Sequence, residues 1–139
     1  MELNSTTNRK VPLVKTILTI SISLVWLING LFCKLLNFVP RHEEIVAKIL
    51  GAQHATLFTK LIGVSEILMF IWIVSCVRSG WCAIFQMIII AVMNTLEFFL
   101  APELLLYGKF NSLVAMFFIG VIFFNEFILG KKQPGLKNN

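Results

Sequence analysis

Apolar side chains gather in four long runs, broken by short polar or glycine- and proline-bearing interruptions. The first covers Val14 to Val39 and contains a clean stretch from Thr16 to Cys33, bracketed by Lys15 and Lys34. That stretch makes about 27 Å of helix at about 1.5 Å per residue, near the thickness of a bilayer's hydrocarbon core. The second runs from about Leu57 to Val77, the third from Trp81 to Leu100, and the fourth from about Asn111 to Leu129. Each has close to the roughly 20 residues a spanning helix needs. A helix satisfies its backbone groups within one segment, whereas a membrane barrel would show shorter, alternating segments. The pattern predicts an all-α integral membrane four-helix bundle.

The breaks agree with that reading. Arg78-Ser79-Gly80 reads as a tight turn between the second and third runs. Ala101-Pro102-Glu103 stops the third, because proline cannot continue the backbone ladder. Leu104 to Gly108 is expected to return along the interface before Asn111 opens the fourth run, and Gly130-Lys131-Lys132 closes it. The longest connection, Pro40 to Thr56, is not plain loop. Glu43 and Glu44 suit a first helical turn, Lys48 a last turn, and Gly51 a left-handed cap. Ile45, Val46, Ile49 and Leu50 share one face, so Arg41 to Leu50 reads as a short amphipathic helix at the interface or as a lid on the bundle. The organisation is a polar amino-terminal tail over 1–13, a four-helix domain over 14–130, and a basic polar tail over 131–139. The first run follows basic Arg9 and Lys10, but its apolar core is too long for a cleaved leader and no small-x-small site follows, so it is expected to stay.

Composition sharpens the class. Of 139 residues, 58% are hydrophobic and 14% charged, where a soluble domain carries about 25% charged residues. Mean hydropathy is +0.86. A chain this small has too much surface to hide so many apolar side chains from water, and disorder needs the opposite composition. The net charge of +5 sits at the edges of the apolar runs, where Lys and Arg stems reach lipid headgroups. The bilayer, not nucleic acid, is therefore the expected partner. Cys33, Cys76 and Cys82 have no metal-ligand spacing and read as small apolar side chains. With both ends cytoplasmic, the inside holds Arg9, Lys10, Lys15, Arg78, Lys131, Lys132 and Lys137, and the outside Lys34, Arg41, Lys48, Lys60 and Lys109. This weak bias favours both termini inside.

The informative residues are the polar ones within the runs. A charged side chain near the bilayer centre costs about 2.5–3.5 kcal/mol even on a lenient scale. Such a group must face the bundle interior and find a partner, or take up a proton. Asn29, Lys34, Glu66, Asn94 and Glu97 fall at matching heights in the outer half of their helices. Gln86, Ile90, Met93, Asn94 and Glu97 also lie within about 100° of helical arc, giving the third helix an inward polar stripe. The expected site is a polar pocket walled by Asn29, Lys34, Glu66, Asn94 and Glu97, with Lys34 or Arg41 neutralising one carboxylate. The competing reading makes the same groups structural glue between helices. Asn125 and Glu126 form a second cluster near the inner end, expected close to Arg78, Lys131 and Lys132. His42 beside Glu43 and Glu44 suggests a metal or proton site, but adjacent residues do not share a helical face. His54 reads as a headgroup contact and Trp81 as an interfacial anchor. No nucleotide loop, dinucleotide fingerprint, nucleophile elbow or paired-histidine motif is present, so no catalytic residue and no metal ligand is assigned.

The stretch Trp26-Leu27-Ile28-Asn29-Gly30-Leu31-Phe32-Cys33-Lys34, continuing through Asn37 to Val39-Pro40-Arg41-His42-Glu43-Glu44-Ile45-Val46, resembles the DoxX-like family of small bacterial membrane proteins. Thr59-Lys60-Leu61-Ile62-Gly63 with Glu66, Met93-Asn94 with Glu97-Phe98-Phe99-Leu100-Ala101-Pro102, Leu104 to Gly108 with Asn111, and Asn125-Glu126-Phe127 extend the likeness over most of the chain. The resemblance implies a four-helix bundle in a bacterial inner membrane and little about activity. Some related sequences are fused to short-chain dehydrogenase-like domains, and the wider group includes membrane subunits of quinone-coupled sulfur oxidation. It carries no established catalytic residues.

Three functional readings follow. The first is a non-catalytic inner-membrane protein, an accessory or subunit of a redox or stress-related complex, whose dehydrogenase association is either lost or supplied by a separate protein, its expected partner being a membrane or dehydrogenase-like protein. The second is a quinone- or lipid-binding oxidoreductase subunit using the pocket around Glu66 and Glu97, with a quinone as its cofactor. The third is a small proton-coupled exporter. Homo-oligomers are compatible with each.

Overall fold

The computed structural model describes residues 2–105 and 108–132. Leu106 and Tyr107 of the expected interfacial return, and most of the expected basic tail, residues 133–139, lie outside the described residues. The described residues form helices and turns with no strand. Helix α1 covers Glu2–Leu27 and continues without a break into a π-helical segment, Ile28–Leu35. Helix α2 covers Arg41–Leu50, α3 Ala55–Ser75, α4 Ser79–Leu100 and α5 Asn111–Phe123, the last also running on into a π-helical segment, Phe124–Ile128. Four stretches are long and apolar enough to cross a membrane: Val11–Leu35, Ala52–Ser75, Ser79–Leu100 and Asn111–Ile128. The shortest, at 18 residues, makes about 27 Å of helix. This is an all-α, multi-pass membrane protein.

Several boundaries differ from the sequence reading for physical reasons. Helix α1 starts at Glu2 rather than near Val14, because the polar residues 2–10 are compatible with helix even though hydropathy cannot register them, and Pro12 is accommodated inside it. The reversal between α3 and α4 is made by Cys76 to Arg78, with Cys76 and Arg78 in the left-handed region at φ 56° and 48°. Ser79 and Gly80 already belong to α4. The Trp72 indole N–H donates to the Val77 carbonyl at 2.8 Å and ties that reversal down. Gly51 ends α2 at φ 100° and ψ 144°, a region open essentially to glycine. Ala101, fully buried, ends α4 directly before Pro102.

Helix α1 and its π segment pack along α3, and α4 packs along α5, while contacts between these two pairs are sparser. Helix α2 lies across the end of the bundle, burying Ile45 and Val46 against α3 and α4. The core is thin. Ile22, Trp26, Met69, Ile73, Cys82, Ala83 and Ile122 form its buried apolar cluster, while Leu68, Ile71, Ile88, Leu113 and Phe117 point outward as lipid-facing side chains do.

Candidate functional site

The site begins where the π segment that continues α1 crosses α3. A Cβ built on Gly30 would stand 2.6 Å from the Gly63 carbonyl oxygen, so the two backbones touch there, as small residues allow in membranes. Lys34 follows Gly30 by one wide turn, and Glu66 follows Gly63 by one ordinary turn. The crossing therefore brings these side chains face to face. Lys34 Nζ donates to Glu66 Oε1, and each residue is only 6% exposed. The other carboxylate oxygen, Glu66 Oε2, is buried with no hydrogen-bond partner among the described residues.

The π winding decides what else joins them. The Leu36 N–H donates to the Leu31 carbonyl at 2.9 Å, five residues back. In an α-helix, Asn29 and Lys34 would point about 140° apart. A π turn of about 4.4 residues reduces that to about 50°. Both side chains then line one cavity of about 400 Å³ between the two helix pairs. Glu66 from α3 and Asn94 and Glu97 from α4 share its wall, with Asn111 from the start of α5. Asn111 Nδ2 donates to Asn94 Oδ1 at 3.0 Å, and Asn94 Nδ2 donates to Ser112 Oγ at 3.3 Å. Glu97 has no side-chain hydrogen bond or ion pair among the described residues. The deeper wall is apolar: Trp26, Ile89, Ile90, Met93, Val114 and Phe118.

Arg41, expected at this pocket, is not on its wall. His42 is. Neighbouring residues on a helix point about 100° apart, so α2 offers the imidazole to the cavity and turns the guanidinium aside. Arg41 Nε is buried without a partner among the described residues. Burial, followed by the charges of Lys34 and Arg41, pulls His42 down to a pKa of about 4, so the ring is neutral at ordinary pH. Glu43 takes no part in a His-Glu-Glu set: it accepts from Asn37 Nδ2 at 3.2 Å and from the Thr56 hydroxyl, which anchors α2 to its flanks. The sequence signal for His42 was its place on the one amphipathic helix. Asn111 carried only the weaker signal of an amide opening an apolar run.

Asn125 and Glu126 lie at the opposite end, on a smaller cavity of about 190 Å³. The partner of Glu126 is Lys15, at 3.3 Å, not Arg78 or Lys131, which are exposed. The reason is lateral: α1 packs beside the π segment of α5, whereas Arg78 sits on the reversal. Ser79 Oγ also donates to Glu126 Oε1 at 2.7 Å, and Asn125 Nδ2 to Thr19 Oγ1 at 3.0 Å. Asn125 Oδ1 is buried and has no partner among the described residues. Gln86 of the polar stripe faces this cavity and accepts from the Trp26 indole N–H at 2.9 Å.

An ion pair held between close-crossing helices, beside a cavity with a polar mouth and an apolar floor, defines a small polytopic helical protein built around an intramembrane pocket. Residues 23–123 match the DoxX-like family, and the chain belongs to it. The matched region contains every residue named above on the larger cavity, and it ends before Asn125 and Glu126. No curated protein and no solved structure matches the chain.

Proposed function

We propose that this protein is the ligand-binding membrane subunit of a bacterial redox system and that it holds a quinone in the larger cavity. It would serve a separate dehydrogenase-like partner, in the inner membrane, with both termini cytoplasmic. The observation that carries this reading is the mixed polar and apolar composition of the cavity wall. Asn29, His42, Asn94 and the Lys34–Glu66 pair share the wall with Trp26, Ile90, Met93 and Phe118. A quinone needs both kinds of contact: its ring carbonyls accept hydrogen bonds, and its ring and tail need apolar surface. The Asn29 amide, the neutral His42 ring and Lys34 are the donors that would hold the head group. When bound, a quinone supplies two-electron chemistry; these residues would orient it.

Tryptophan quenching tests the reading. A short-chain quinone titrated into the purified protein should quench fluorescence saturably. The quench should weaken in Trp26→Phe, which removes the indole on the wall, and its midpoint should rise in Asn29→Leu. Extraction of protein purified in mild detergent should also yield quinone by mass spectrometry. Unsaturable quenching together with quinone-free extracts would overturn the proposal.

A further inference from the structure

The two cavities lie end to end, and one layer of side chains separates them. Trp26 lines the larger and Gln86 the smaller, and their buried hydrogen bond is the polar link across that layer. Met69, Ile122 and the flanking apolar core close the rest of it. Each cavity has its own ionisable groups. Lys34, His42, Glu66 and Glu97 face the larger one, and Lys15 and Glu126 the smaller, with the Cys76 and Cys82 thiols beside them. Each also borders a buried oxygen that no described residue satisfies: Glu66 Oε2 and Asn125 Oδ1. Each cavity is large enough to hold water and carries several polar side chains on its wall.

We propose that the bundle conducts protons between the two membrane faces through these two hydrated cavities, with the Trp26–Gln86 pair as the gate. Glu126 collects or releases the proton at the terminal end, and Glu97, which forms no ion pair among the described residues, does so at the other. Water and the amide and indole groups of the gate bridge the gap when the pair separates. The inference does not depend on which molecule occupies the larger cavity, because proton movement needs no such ligand.

The test uses the full chain in liposomes loaded with a pH-sensitive dye. A pH step is imposed, and valinomycin with potassium removes the counter-voltage. Wild-type vesicles should equilibrate faster than protein-free ones. Trp26→Ala should speed this further by about tenfold, as expected when a constriction that gates by excluding water is widened. Adding Glu126→Gln to Trp26→Ala should return the rate to near the wild-type value. If Trp26→Ala fails to give folded, monodisperse protein, Gln86→Ala opens the same layer and takes its place. Three results would each overturn the proposal: wild-type flux equal to protein-free vesicles, a gate variant no faster than wild type, or a fast variant indifferent to Glu126→Gln. The last would mark a nonspecific leak.

Discussion

Gly30 and Gly63 meet back to back. A Cβ on the first would stand 2.6 Å from the carbonyl oxygen of the second, and a Cβ on the second 2.8 Å from the carbonyl oxygen of the first. This reciprocal contact sets the distance between α1 and α3, and the Lys34–Glu66 pair lies one turn further along. The same crossing fixes packing and the charged wall of the cavity, so a change at either glycine reaches both.

Replacing either glycine with alanine should therefore push the helices apart. The neighbouring atoms are backbone or the Cβ atoms of Glu66 and Lys34, which cannot swing away, so the cost should be about 1–3 kcal/mol, as for overpacking in general. Gly120→Ala is the control: nothing lies within 4 Å of a Cβ there, and alanine in a helix is favoured over glycine by about 0.5–1 kcal/mol. Thermal unfolding in detergent should show Gly30→Ala and Gly63→Ala melting lower and Gly120→Ala unchanged or higher. Equal behaviour of the three would mean that the crossing is not tight.

The ion pair should behave as a unit. Lys34→Met leaves a buried carboxylate and Glu66→Gln a buried ammonium, and removing one partner of such a pair costs about 3–5 kcal/mol. The double variant leaves no buried charge and should recover much of that loss. A double-mutant cycle read by unfolding in mixed micelles measures the coupling. Additive losses would show that the two side chains do not depend on each other.

At the other end, Ser79→Ala removes the hydroxyl that donates to Glu126 at 2.7 Å. Lys15 still holds the carboxylate, so the loss should be that of one hydrogen bond, about 1 kcal/mol. Lys15→Met should cost more than Ser79→Ala, because it takes both the charge and the contact to the Asn125 carbonyl. The reverse order in unfolding measurements would assign Glu126 to a different cation.

The four spans were legible because lipid imposes one simple rule, about 20 apolar residues per crossing, and α2 because Glu43, Lys48 and Gly51 mark its ends. The height of Asn29, Lys34, Glu66, Asn94 and Glu97 was legible too, since rise per residue is fixed. Azimuth was not. The π segment at Ile28–Leu35 re-aims Asn29 and Lys34 together, and no residue type announces such a segment. Lateral neighbours were equally hidden: Glu126 meets Lys15 because α1 packs beside the end of α5, a pairing 111 residues apart in the chain. The exchange of Arg41 for His42 on the cavity turns on a single residue of helical phase, which hydropathy does not resolve.

His42 gives the chain a pH dependence with a definite sign. Its folded pKa is lowered from 6.5 to about 4, so between those values the unfolded chain binds the proton and the folded chain does not. Stability rises with pH wherever the unfolded state binds more protons. The contribution of this ring is therefore fully present above about pH 6.5, shrinks as the pH falls towards 4, and changes no further below that. Melting temperatures in detergent should fall across this window for the wild type. The fall should be shallower in His42→Gln, which keeps a polar side chain at the cavity wall but cannot titrate. A slope unchanged by the substitution would show that the imidazole binds protons alike in the folded and unfolded chain and would overturn this assignment.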